Sequence, residues 1–125
     1  MQLKLVDGLP FVSVHVLSGS KMVEIPDVLI DTGSASTIFA ADIMATVGIS
    51  PVPEDVLHTI RGVGVVEVVF LRRIDEIWLG RKQLTGFEIE VGGMDYGFAI
   101  NGILGMDFLQ SLGVMIDLKQ LEIRF

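Results

Sequence analysis

An all-β domain carrying two short helices is the fold class this sequence predicts, and three observations lead there. Apolar residues recur mostly with period two, the signature of half-buried strands. Glycines, fourteen in 125 residues, fall where those runs break, as a chain built of hairpins requires. Helical spacing is confined to two brief segments, each closed by a glycine.

Val12, Val14 and Val16 alternate with Ser13 and His15, and Ser18-Gly19-Ser20 then turns the chain. The solvent side of such a strand is the expected place for His15. Val28–Ile30 is a continuous apolar run that suits a buried strand. Phe39–Val47 predicts the first helix, with Phe39, Ile43, Met44 and Val47 on one face and Gly48 just past its end. Gly62-Val63-Gly64 marks a turn, and Gly80, Gly86 and Gly92-Gly93 mark three more. Trp78, between Ile77 and Leu79, is expected in the core. Phe87, Ile89 and Val91 alternate with Glu88 and Glu90. Met106–Leu112 predicts the second helix, ended by Gly113, and Leu121, Ile123 and Phe125 form a last alternating strand. No linker or low-complexity tract interrupts this order, so residues 1–125 read as one domain. An internal echo joins Val28–Gly33 to Ala99–Gly105: each is an apolar strand, then a glycine, then a helix.

Composition removes several function classes. Sixteen acidic against nine basic residues give a net charge of −7, and no basic cluster exceeds Arg72–Arg73, which argues against nucleic acid. With no cysteine there is no disulfide framework, thiol nucleophile or thiolate-held metal. His15 and His58 are far apart and outside any HExxH pattern, so a zincin is excluded too. Asp31, Asp95 and Asp107 are read as scattered carboxylates rather than a metal site, and no cofactor is expected. Gly62-x-Gly64 is followed by Glu67 rather than a third glycine, so it is no dinucleotide fingerprint. The longest apolar stretch is broken by Glu67 and cannot cross a bilayer, and the N-terminus lacks a secretory apolar region. A cytoplasmic protein without membrane contact is the expectation. Mean hydropathy of +0.62 is high for a small soluble chain, which suggests apolar surface covered by a partner.

One tetrapeptide stands out. Asp31-Thr32-Gly33-Ser34 follows three aliphatic residues directly, so a buried strand would hold a carboxylate rigidly at its end. Gly33 permits a tight turn and close approach of another segment, and Thr32 and Ser34 supply hydroxyls to neighbouring polar groups. Taken alone, the same four residues also suit an ordinary turn in which Asp31 is a cap.

The surrounding chain resembles the retropepsin-like aspartic proteases. Val28–Phe39 is similar to that family's active-site strand and loop. Ile60-Arg61-Gly62-Val63-Gly64-Val65-Val66 resembles its glycine-rich flap hairpin, and Asn101-Gly102-Ile103-Leu104-Gly105 its second apolar-apolar-glycine motif. The resemblance implies a closed acid-protease barrel with a flap and two short helices. Two positions depart from the retroviral pattern: an acid and an arginine that pair there are Ser36 and Met106 here.

The resemblance also implies a dyad of two carboxylates sharing one proton, the arrangement in which like charges split the pKa values of a pair. This chain carries a single Asp-Thr-Gly, and the corresponding stretch at Gly105 offers only Asp107, already on the helix. A two-fold homodimer supplies the second Asp31. Catalytic roles then fall to Asp31, Thr32 and Gly33. An extended peptide would contact Ile30, Ser34, Asn101 and Ile103 and be covered by Ile60, Arg61, Gly62, Val63 and Gly64. Met1–Leu5 and Leu121–Phe125 would interleave with their mates. The alternative is a catalytically silent dimeric peptide-binding or scaffolding domain of the same fold, prompted by Ser36 and Met106.

Overall fold

In the computed structural model the alternating valines do form a strand, with Val12, Val14 and Val16 buried and His15 exposed. Residues 1–62, 65–94 and 99–125 are described, without the side chains of 60–62, 65 and 66. Ten strands and two helices form among them. In chain order these are β1 (Lys4–Val6), β2 (Leu9–Ser18), β3 (Lys21–Ile30), β4 (Ile38–Ala40), α1 (Ala41–Ala45), β5 (Leu57–Gly62), β6 (Val65–Leu79), β7 (Lys82–Gly92), β8 (Gly102–Leu104), α2 (Met106–Leu112), β9 (Met115–Asp117) and β10 (Glu122–Arg124).

Eight strands pair in the order β1-β2-β3-β8-β4-β7-β6-β5, and an extra pairing of β2 with β6 closes the sheet on itself. The closure runs through His15↔Trp78, Val16↔Ile77 and Leu17↔Glu76. It occupies strand edges that would otherwise stand open. Inside lies a core of Val14, Val16, Ile25, Ile77, Leu79 and Phe108, none of them measurably exposed. Phe108 of α2 meets Phe87 of β7 edge-on at 5.6 Å, which fixes the helix against the sheet. A second apolar cluster gathers Phe11, Ile38, Ala40, Val69, Met94 and Ile100. Burying each large side chain in these cores contributes roughly 1.5–3 kcal/mol.

α2 has the predicted bounds, Met106–Leu112. Gly113 follows at φ +71°, and the N–H groups of Gly113 and Val114 close a Schellman pattern on Gln110 and Leu109. α1 is shorter than predicted. Phe39 and Ala40 belong to β4, because β8 on one side and β7 on the other supply ladder partners that outweigh the helical spacing. Gly48 still ends the segment, with φ +81° and its N–H on Ala45 O at 3.1 Å. Gly86 lies within β7 at φ +60° rather than in a turn. Trp78 is not core: it shares a face with Glu76, to which its indole N–H donates at 2.8 Å, while Ile77 and Leu79 point inward. Glu90 breaks the alternation of β7, since it is buried, and its Oε2 has no hydrogen-bond partner among the described residues. At that point β7 is flanked by strands on both sides.

The chain ends pair with each other within one chain. Leu3 N–H donates to Leu121 O at 2.8 Å, Ile123 N–H to Met1 O at 2.7 Å, and Gln2 faces Glu122. β10 pairs with β9 on its other side, through Glu122↔Asp117, Ile123↔Ile116 and Arg124↔Met115. Arg124 and the N–H groups of Lys119 and Gln120 bind the Asp117 carboxylate, which closes the β9–β10 turn. Both edges of β10 are therefore taken without a mate, which differs from the interleaved termini that the resemblance implies.

Candidate active site

β3 delivers Asp31. The strand runs parallel to β8, with Val28↔Gly102, Leu29↔Ile103 and Ile30↔Leu104, and the ladder continues one step as Asp31 N–H donates to Leu104 O at 3.0 Å. Ile30 is buried in the main core, so Asp31 leaves the core at a strand end gripped from the side. The chain then turns: Ser34 N–H donates to Asp31 O at 3.2 Å and Gly33 N–H to Asp31 Oδ1 at 2.9 Å. Asp31 Oδ2 has no hydrogen-bond partner among the described residues. Asp31 and Ser34 are half-buried, whereas Thr32 and Gly33 are exposed. The result is a carboxylate with one oxygen held and the other available.

A second glycine turn locks against the first. A Cβ on Gly105 would lie 2.3 Å from Ser36 O and 2.9 Å from Ser34 O, so only glycine lets the two loops touch. Met106 N–H donates to Ser34 O at 2.8 Å, and Ser34 Oγ to Ser36 O at 2.8 Å. Next to these lies a connection that the sequence reading did not find. Thr37, fully buried, accepts Gly105 N–H at 3.0 Å and donates through Oγ1 to Asp107 Oδ1 at 2.8 Å. Asp107 also accepts the N–H of Thr37 at 3.3 Å and of Phe108 at 2.7 Å. Thr37 and Asp107 each directly follow one of the departures, Ser36 and Met106, so a threonine–aspartate pair ties the same two segments. The only sequence signal was an acid just past the second glycine motif.

The other expected site residues spread around this centre. Asn101 holds strands together, with its side-chain amide on Pro26 O at 2.9 Å and its backbone bonded to Asp27 and Ala40. Ile103 is half-buried against the second apolar cluster. Thr32 borders an open groove of about 300 Å³ with Met106, Leu109, Gln110, Val114 and Ile116. β5 and β6 form the two arms expected of a flap, in register Ile60↔Glu67, Arg61↔Val66 and Gly62↔Val65. Its tip, Val63 and Gly64, lies outside the described residues, as does Asp95. The base of that hairpin is pinned by Arg72, which donates to both oxygens of Asp55 at 2.9 and 2.8 Å and to Ser50 O at 3.0 Å. The Asp55 carboxyl is held below the usual carboxylate range, chiefly by the N–H of Val52 and further by Arg72, against the cost of its desolvation. Asp117 is lowered in the same way, first by Gln120 N–H and then by Arg124 and Lys119. Among the described residues no group of three or more acids or histidines is placed to hold a metal, and no helix is long and apolar enough to cross a membrane.

A family model described as aspartyl protease matches residues 12–108, the stretch from β2 into α2 that contains both glycine turns. The chain belongs to the aspartyl protease family. A crystal structure of a retropepsin-like aspartic protease from Rickettsia conorii superimposes with a TM-score of 0.70, covering 98% of this chain and 86% of that one at 18% identity. At that identity the likeness speaks for the fold, which is the all-β retropepsin-like one. No match is found among curated protein sequences.

Proposed function

We propose that this aspartyl protease is a homodimeric endopeptidase of residues 1–125, built as one domain, that hydrolyses extended peptides with two Asp31 carboxylates, one from each subunit. The observation that carries the reading is Asp31 itself. It is rigidly backed by β8, oriented through Oδ1 by Gly33 N–H, and open at Oδ2 among the described residues. There is one such group per chain, and the chemistry needs two. Facing across a two-fold axis, the pair shares one proton because two adjacent negative charges cannot both persist.

The ionised Asp31 takes a proton from a water molecule as its oxygen adds to the scissile carbonyl carbon. The protonated Asp31 gives its proton to the carbonyl oxygen, forming a neutral gem-diol. Collapse re-forms the carbonyl, breaks the C–N bond and passes a proton to the leaving amine. Thr32 braces the dyad, the Gly33 carbonyl and Ser34 hold peptide backbone, and the Ile60–Val66 hairpin closes over it and excludes water. Ile30, Asn101 and Ile103 contribute the walls and supports of the cleft. No metal or cofactor takes part, and the cytoplasm is the proposed place of work.

The test is cleavage of a diverse peptide library at mildly acidic pH, with wild type beside Asp31→Asn, above the dimerisation concentration. Cleavage by wild type alone is the expected result and also reads out subsite preference. A confirmed dimer that cleaves nothing would replace the enzyme with the silent peptide-binding domain. The Thr37–Asp107 pair argues for the enzyme, since it holds together the two loops that the lost ion pair would have tied.

A further inference from the structure

One register row crosses the sheet on the side where Asp31 emerges. Phe11, Leu29, Ile103, Ile38, Glu90 and Leu71 are successive partners on β2, β3, β8, β4, β7 and β6. Their chain neighbours Val28, Ile30, Phe39, Val91 and Phe70 fill the main core, so the row faces the other way, into the second apolar cluster. Asp31, two residues past Leu29 and bonded to β8, follows the same alternation. Glu90 alone in the row is polar. It is only 8% exposed, and its Oε2 meets no hydrogen-bond donor among the described residues. The two arginines that follow Leu71 on β6 are engaged elsewhere, Arg72 by Asp55 and Ser50 O and Arg73 by Gly86 O. Strands on both sides and a bond from its N–H to Thr37 O at 2.9 Å fix the Glu90 backbone. A buried carboxylate without a partner is costly, the more so beside aliphatic groups such as Ile38.

We propose that Glu90 is the floor of an acidic subsite that takes an arginine or lysine side chain of the peptide substrate. The inference rests on the peptidase reading and adds to it a substrate class, basic peptides. Leu29 and Glu90 are three strands apart, about 14 Å at the usual spacing. An extended peptide rises about 3.3 Å per residue, so a long side chain reaches Glu90 from a position about two or three residues from the scissile bond. Leu29, Ile103 and Leu71 are only half-buried, which leaves the row open to such a chain. A guanidinium makes two parallel hydrogen bonds to one carboxylate, and its methylene stem suits the aliphatic surface of Ile38 and Ile103. A divalent ion would need more ligands than the described residues bring together here. Glu67 adds a second acid on this side: its Oε1 accepts Met94 N–H at 3.1 Å and lies 2.6 Å from where a Cβ on Gly92 would stand, two residues past Glu90. The net charge of −7 favours the approach of a basic peptide.

The test is a peptide library scanned with arginine and, at the same positions, with its neutral isostere citrulline. Wild type is expected to favour arginine at one position by about tenfold or more in kcat/KM. Glu90→Gln keeps the shape of the side chain without its charge, and should bring that ratio close to one. The same variant should melt no lower than wild type, because a buried charge without a partner is removed. A melting temperature lowered by about 4 °C or more would give Glu90 a partner inside the chain and overturn the subsite. Binding of the library to Asp31→Asn, followed by calorimetry, reads the subsite without turnover. Arginine-selective binding, lost on adding Glu90→Gln, together with no cleavage by wild type removes the peptidase alone. Cleavage without preference for arginine at any position, or with a preference that survives Glu90→Gln, removes the subsite alone. A chain that neither binds nor cleaves any member of the library removes both.

Discussion

Asp31 and Asp107 stand in two similar pieces of chain, two residues before the turn glycine in one and two residues after it in the other, and are used in opposite ways. Each piece runs from a strand through a glycine turn toward a helix that ends on a left-handed glycine, Gly48 in one and Gly113 in the other. The two turns lean on each other, Asp31 N–H on Leu104 O and Met106 N–H on Ser34 O. Asp107 accepts from Thr37 through both of its oxygens and also from Phe108 N–H. Asp31 accepts one local N–H and, among the described residues, keeps an oxygen open. A saturated carboxylate is a structural tie, since its lone pairs are committed and burial has been compensated. A carboxylate left short of donors on a rigid support can still take up or release a proton. The difference teaches that the backbone frame is common, and that the number of local donors decides which acid keeps an oxygen for another partner.

The largest effect that could break this comparison is at Asp31. Asp31→Asn should lower peptide cleavage by about a thousandfold or more while the unfolding free energy moves by only about 0.5 kcal/mol, read by urea titration. A melt that collapses with the activity would make Asp31 structural as well. Gly105→Ala comes next, at about 3 kcal/mol of lost stability, because its Cβ would enter backbone at 2.3 Å from Ser36 O. Gly33→Ala meets only Asp31 Oδ1, at 3.2 Å, and should cost activity far more than stability. Equal melting losses for the two alanine variants would show that the turns do not differ as described. Thr37→Val leaves Gly105 N–H and Asp107 short of a partner, and a loss of roughly 1–3 kcal/mol is expected in the same titration. The smallest effect concerns pH. Asp55 and Asp117 have folded pKa values below 3.8, so they add stability above that value and lose it as pH falls through their folded values. Melting curves taken between about pH 5 and pH 2 should therefore fall on the acid side, and less steeply for Asp117→Asn. An unchanged slope in that variant would place the acid sensitivity elsewhere.

Much of this frame was legible in the chain because period-two burial and glycine punctuation are local signals. Val12–Val16 and the Met106–Leu112 helix with its Gly113 cap needed no tertiary knowledge. Phe39 did, since its helical spacing with Ile43 is real but β7 and β8 claim its backbone. Glu90 was misplaced for a related reason, since alternation tells which residues share a face, not how many neighbours cover that face; Trp78 was placed by its apolar neighbours, although alternation sets it opposite Ile77 and Leu79. The Thr37–Asp107 tie joins residues far apart in sequence and carries no periodicity, so only the folded loops display it. The pairing of the two chain ends was equally invisible, because a terminal strand says nothing about whose edge it will join.

The insertion of β8 between β3 and β4 has a consequence for assembly in time. Asp31 is held by a strand made of Gly102–Leu104 and by a loop that continues into α2, all synthesised long after it. A nascent chain that has emerged only through β7 owns the aspartate but not the clamp that aims it. Contacts this distant along the chain form late and raise the loop-closure entropy of folding, which places the protein among slower-folding small domains. The acid thus becomes a positioned group only when β8 and α2 are in place, so the order of synthesis itself delays its positioning until those later segments have emerged.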